Sequence, residues 1–200
     1  MLENIPSDMP ILILGSYRSG STALGDYLAK ELNYQYFGEP YHWNEDVKAK
    51  CSDFFEYKKD NSNYVWKLFT DHIPITEPEK TECLQAWSNS YVIKLCRKDI
   101  AKQITSWIIS MKTDVWNSTS TVQIPTVDIK DEFIEYCVQK ELVNLDALEF
   151  ITEESYHVQM YYEDIQNILF QSDFKTTLKP ENYEQVLQKV KSILTKQGRL

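Results

Sequence analysis

Residues 11–32 read ILILGSYRSGSTALGDYLAKEL, and this stretch decides the fold. Ile11–Gly15 is an unbroken apolar run that ends at glycine. A run without polar alternation predicts a strand buried on both faces, as in a parallel sheet. Ser16–Thr22 is a polar turn containing Gly20. Beyond it, Leu24, Tyr27, Leu28 and Leu32 fall at helical spacing, so the turn opens a helix. In such a strand–turn–helix unit, free backbone N–H groups and the positive end of the helix dipole meet at one point, which favours a bound phosphate. Ser19, Ser21 and Thr22 add hydroxyl donors, and Gly20 lets the backbone approach closely. Gly15 and Gly20 have Walker A spacing, but Ser21 stands where that loop has its lysine. The cation is instead Arg18, inside the loop. Walker A uses its lysine and Mg²⁺ on the β- and γ-phosphates. The relocated charge points away from ATP hydrolysis and towards another phosphate-bearing donor.

Further units repeat the alternation along the chain. Tyr64–Phe69 and Tyr91–Cys96 read as strands and His157–Tyr161 as a short one. Glu77–Trp87, Ile100–Met111, Asp131–Phe150, a segment from about Glu163, and Glu181–Gln197 read as helices. Strands alternating with helices require crossovers. The expected fold is therefore α/β: a P-loop-like three-layer arrangement, with a central, mostly parallel sheet and helices on both faces. One domain spanning residues 1–200 is expected. Lys112–Asp128, rich in Ser, Thr and Asn, reads as a long loop suited to act as a lid.

The bulk numbers set limits. The chain has 200 residues and a formal net charge of −9, with 42% hydrophobic and 26% charged residues. With 5 Gly and 7 Pro it is neither fibrous nor disordered in character. Its acidity disfavours nucleic acid and anionic membrane surfaces as partners, while a local basic pocket for a small anion stays compatible with it. Cys51, Cys83, Cys96 and Cys137 form no CxxC pair and no zinc pattern, so reduced thiols and no metal are expected. No signal-like segment opens the sequence, and the longest apolar run has strand length. A cytoplasmic location is the expectation.

SYRSGSTALGDYLA, Ser16–Ala29, resembles the 5′-phosphosulfate loop of sulfotransferases that use 3′-phosphoadenosine-5′-phosphosulfate (PAPS). It is most similar to the carbohydrate and trehalose-type branches. The resemblance implies that Arg18, Ser19, Gly20, Ser21 and Thr22 bind the 5′-phosphate and align the sulfate. Tyr17, in place of the family's frequent proline, counts with the loop. A second segment, YVIKLCRKDIAKQITSW, puts Arg97 past a strand end and Ser106 on the next helix. Arg97, Asp99, Gln103, Ser106 and Trp107 are similar to the form RRDxxxQAxSW of the trehalose-type branch, in which the Arg and Ser bind the 3′-phosphate. Arg is permanently charged and grips phosphate bidentately, and a Ser hydroxyl adds a neutral donor. MYYEDI, Met160–Ile165, is a weaker echo of a late family segment, with Glu163 and Asp164 read as mostly structural. Of the family's C-terminal basic segment, TKQGRL keeps only Arg199.

The resemblance implies PAPS as cofactor, with PAP left as product, and transfer to an acceptor hydroxyl on a carbohydrate or small molecule. A homodimer is compatible with this class. Such a transfer needs a base for the hydroxyl proton and cations for the leaving phosphate. Glu39, in an EP pair similar to that of carbohydrate sulfotransferases, ranks first as base, and His42 is its rival. Lys67, at the end of an expected strand, is a candidate to approach the sulfate. His72, in KLFTDHIP, ranks after them, and His157 reads as structural. Two other readings stay open: a P-loop nucleotide kinase or phosphotransferase, and a non-catalytic PAPS-binding domain.

Overall fold

The structure, a computed structural model, describes residues 5–116, 126–153, 155–169 and 179–200. Its centre is a parallel five-stranded sheet. The strands are β1 (Ile11–Gly15), β2 (Gln35–Tyr36), β3 (Tyr64–Phe69), β4 (Tyr91–Cys96) and β5 (Val158–Tyr161), in the order β2-β3-β1-β4-β5. All four strand pairings are parallel. β1 lies between β3 and β4, with Ile13 opposite Lys67 on one side and Ile93 on the other.

Eight α-helices accompany the sheet among the described residues: α1 (Ser21–Leu32), α2 (Glu45–Ala49), α3 (Phe54–Asp60), α4 (Glu79–Ser88), α5 (Ile100–Thr113), α6 (Asp131–Thr152), α7 (Tyr162–Leu169) and α8 (Tyr183–Lys196). Successive strand side chains point to opposite faces, and this alternation builds two cores. Ile11, Ile13, Val65, Ile93 and Leu95 pack with Leu24 and Leu28 of α1 and Ile165 of α7. Leu12, Leu14, Trp66, Leu68 and Val92 pack with Phe54 of α3, Cys83 and Ala86 of α4, and Leu148 of α6. A third core joins α5, α6 and α8 through Ile104, Ile108, Cys137, Val138, Val186 and Val190, and reaches Tyr17 and Phe69.

The three-layer α/β expectation is met, with a sheet that is parallel throughout. The expected long strands and helices all form, with ends shifted by a few residues. Two short helices, α2 and α3, and the two-residue β2 occupy segments without a clear period. Lys67 is not a strand end: it is the fourth residue of β3 and is buried. Of the expected loop Lys112–Asp128, Lys112 and Thr113 belong to α5. Its residues 117–125, and with them the lid reading, lie outside the described residues. Among the described residues no helix is long and apolar enough to cross a membrane.

β1 marks the point where the chain's connections diverge, to β2 and β3 on one side and β4 and β5 on the other. In open parallel sheets, ligands bind outside the carboxyl ends of the strands at such a point. The turn after β1 stands there.

Candidate functional site

The turn Ser16–Gly20 joins β1 to α1 in a geometry that two residues make possible. Arg18 adopts φ 56° and Gly20 φ 92°, both in the left-handed region. For a non-glycine residue such a conformation is held against an energetic preference. Gly20 is the N-cap of α1, and no side chain caps the helix there. The first-turn N–H groups therefore lack an internal partner. A Cβ on Gly20 would stand 2.4 Å from the Tyr162 ring, so only glycine lets that ring close on the turn.

Tyr162 in turn carries Arg97, whose guanidinium carbon lies 4.2 Å from the ring centre. This is a cation–π contact. The Arg97 Nε is buried without a hydrogen-bond partner among the described residues, and it faces Glu163 Oε1 at a loose 3.9 Å. Burial, and then the charge of Arg97, lower the Arg18 pKa to about 10. Two guanidiniums thus converge on one turn, an arrangement that a bound anion relieves.

The second motif interlocks with the first. Asp99 caps α5 by accepting from the Lys102 N–H. One turn on, Gln103 Nε2 donates to Ser16 Oγ at 2.6 Å and to the Tyr17 carbonyl at 2.8 Å. Arg18 Nε donates to Ser106 Oγ at 3.0 Å, and its Nη1 donates to the Trp116 carbonyl. Trp107 stacks on Tyr17, with centroids 5.0 Å apart and planes within 4°. Residues at i, i+3 and i+4 share one helix face, and here that face lies against the turn. Beneath the contact, Glu141 Oε1 of α6 lies 3.0 Å from the same Gln103 Nε2 and shares its two hydrogens with the turn, and Asn144 donates to Oε2 at 3.5 Å. Burial pushes the Glu141 carboxyl up to about 8, so it is largely protonated at neutral pH.

The cluster of Glu39, His42 and His72 adjoins the loop through Lys67. Its ammonium donates to Thr22 Oγ1 at 2.7 Å and pairs with Glu39 Oε1 at 2.6 Å. The other carboxylate oxygen, Glu39 Oε2, faces His72 Nδ1 at 3.4 Å and His42 Nε2 at 3.6 Å. Burial works against ionisation of Glu39. The charge and hydrogen bond of Lys67, with the His72 and His42 rings, outweigh it and hold the carboxyl below its usual value. Burial lowers both imidazoles, His72 to about 4. Tyr17 ties this cluster to the loop: its hydroxyl donates to Asp71 Oδ2 at 2.7 Å and lies 3.2 Å from His72 Nε2. The exposed Trp43 indole sits beside His42, with ring centroids 5.1 Å apart.

The residues singled out in the sequence thus fall at one end of the sheet, in a chain of contacts. Arg97 leads through Tyr162 to Gly20, Ser106 leads to Arg18, and Thr22 leads through Lys67 to Glu39, His42 and His72. In the loop itself, Tyr17 stacks its ring on Trp107 and donates its hydroxyl to Asp71, and the Ser19 hydroxyl is buried beside Gly15 with no hydrogen-bond partner among the described residues. Arg199 bonds both oxygens of Asp146. His157 is structural, its Nδ1 accepting from the Val92 N–H at 2.9 Å. Asp71, Tyr162 and Glu141 were not singled out as site residues. For Asp71 a signal exists, since it lies in the turn Thr70–His72 that follows β3, at the carboxyl end of a parallel strand. Compared with known proteins, the sequence matches no family model and no curated protein.

Proposed function

We propose that the protein is a PAPS-dependent sulfotransferase acting on an acceptor hydroxyl. The observation that carries this reading is the interlocking of two anion elements: the uncapped, arginine-bearing turn before α1 touches the Arg97–Ser106 segment directly. A nucleotide phosphorylated at both ends needs two such elements, and ATP has no 3′-phosphate to fill the second. In this reading Arg97 and Ser106 hold the 3′-phosphate, and the first turn of α1 with Arg18 and Thr22 holds the 5′-phosphosulfate. The Arg18–Ser106 bond is exchanged for phosphate contacts on binding.

Glu39 is the base. It takes the acceptor's proton as the acceptor oxygen bonds to sulfur and the bond from sulfur to the phosphate oxygen breaks. The leaving phosphate keeps the electron pair, and Lys67, Arg18 and the helix N–H groups stabilise its charge. Lys67 bridges Glu39 and Thr22, so proton acceptance and charge stabilisation occur side by side. Trp43 offers an acceptor a flat apolar face.

The test is calorimetric titration with PAP in EDTA, set against ATP with Mg²⁺. Micromolar PAP binding without metal, with weaker ATP binding, is the expected outcome. Preference for Mg·ATP overturns the reading in favour of a kinase. PAP binding without transfer of labelled sulfate to any of a broad panel of hydroxyl acceptors leaves a non-catalytic binding domain.

A further inference from the structure

We infer that Glu39, His42 and His72 form a binding site for one divalent transition-metal ion of the Zn²⁺ or Co²⁺ class. The inference does not rest on the sulfotransferase reading: an ion on Glu39 Oε2 occupies the oxygen that reading gives to the acceptor's proton, so the two describe alternative states of the site.

The donor geometry comes first. One carboxylate oxygen of Glu39 and one ring nitrogen each of His42 and His72 lie within 4.8 Å of one another. The two distances that meet at Oε2 are 3.4 and 3.6 Å. With metal–ligand bonds of about 2.1 Å, donors on a tetrahedron stand about 3.4 Å apart. The two separations that meet at Glu39 Oε2 thus match those of an ion's ligands. Three protein donors leave a fourth position for water or a ligand oxygen.

The proton inventory points the same way. The Tyr17 hydroxyl spends its hydrogen on Asp71, at 2.7 Å. Its oxygen is then free to accept from His72 Nε2, 3.2 Å away. That assigns the single proton of neutral His72 to Nε2 and leaves a bare lone pair on Nδ1. Nδ1 is buried without a hydrogen-bond partner among the described residues, and the His72 side chain is 1% exposed. The lone pair faces a carboxylate oxygen 3.4 Å away. Two acceptors confronting each other out of water call for an electrophile between them. The Asp71–Tyr17–His72 chain also has the form of the outer partners that orient metal-ligating histidines.

The surrounding charges are mixed. Lys67 occupies Glu39 Oε1, which confines the carboxylate to one donor oxygen and opposes a cation. Asp71 Oδ1, 3.7 Å from His72 Nε2, favours one. His42 is the adjustable ligand. The Asn44 N–H donates to its Nδ1 at 2.9 Å, which keeps the ring proton on Nε2. Coordination requires that proton to move to Nδ1 or leave, and the Asn44 contact to open. Asn44 is only half-buried, so its N–H can turn to water. Two imidazoles with one carboxylate suit Zn²⁺ or Co²⁺ rather than Mg²⁺ or Ca²⁺, which prefer all-oxygen sites.

The test is titration of EDTA-treated, dialysed protein with CoCl₂, followed by visible absorption. One equivalent is expected to bind with the intense d–d bands of a tetrahedral site and without sulfur-to-metal charge transfer. Tyr17→Phe is expected to weaken binding about tenfold through the outer shell. His42→Ala and Glu39→Gln, both at less deeply buried positions, are expected to weaken it more, and His72→Ala to abolish it. Circular dichroism of each variant checks folding. Absence of stoichiometric binding to the wild type overturns the inference and leaves the Nδ1 lone pair to an acceptor hydroxyl. A thiolate charge-transfer band, or binding unchanged in both His42→Ala and Glu39→Gln, moves the ion elsewhere and overturns it equally. The assay contains no nucleotide or acceptor, so its failure leaves the transferase reading standing.

Discussion

At the scale of single residues, the two proposed roles, gripping phosphate and taking a proton, fall on side chains held in different ways. Arg97 is held by an aromatic face and a loose carboxylate contact, and its Nε has no hydrogen-bond partner among the described residues. Its removal therefore exposes no strong internal pair and chiefly removes an anion contact. A charge-assisted phosphate contact contributes about 1.5–3 kcal/mol. Arg97→Ala is expected to weaken PAP binding roughly tenfold to a hundredfold by calorimetry, and unchanged affinity removes Arg97 from the phosphate site. Glu39 differs, because its carboxylate bonds the ammonium that also reaches Thr22. Glu39→Gln keeps a neutral oxygen for Lys67 and removes the base. Transfer is expected to slow by about a hundredfold or more while PAP affinity holds, as read by single-turnover kinetics. A full-rate variant assigns proton transfer to a histidine instead.

At the scale of elements, α5 and α6 support the turn Ser16–Gly20 from below. Gln103 donates to the turn and to Glu141 at once. Burial raises the Glu141 pKa from its ordinary 4.5 to about 8. The unfolded chain therefore ionises this group first as pH rises, and the native state holds the proton longer. Stability is lost progressively between those two values, by an amount on the order of a few kcal/mol. Glu141→Gln removes the titration and keeps an oxygen for Gln103. Urea denaturation is expected to show little difference from wild type near pH 5 and a growing advantage for the variant towards pH 8. A difference that does not change with pH refutes the buried, protonated state.

At the scale of the whole molecule, the sheet places the site and the α5–α6–α8 core holds its second half. Leu194 of α8 is fully buried in that core, away from the phosphate turn in sequence and in role. Truncation of a buried leucine costs about 2–5 kcal/mol. Leu194→Ala is expected to lower the denaturation midpoint by that amount while leaving PAP affinity intact wherever the variant is folded. A parallel loss of affinity in folded protein would mean that the bundle tunes the site as well as supporting it.

By itself the sequence determined four of the five strands and the turn after β1. Ile11–Gly15 is an apolar run, Tyr64–Phe69 and Tyr91–Cys96 are apolar but for one lysine each, and the glycine-bearing turn before a helical period is a local signal too. Arg18, Arg97 and Ser106 were legible as types of residue at particular spacings. Only the tertiary structure decided which of them meet. Lys67 reads as a strand end in sequence, yet the register of β3 on β1 buries it beside Thr22 and Glu39. Glu39 and the adjacent pair Asp71–His72 lie in separate segments, and the parallel pairing of β2, β3 and β1 brings the ends of those segments together. The meeting of Glu141 with Gln103 depends on helix packing over a long separation. Periodicity is a property of neighbours along the chain, whereas a site is a property of neighbours in space.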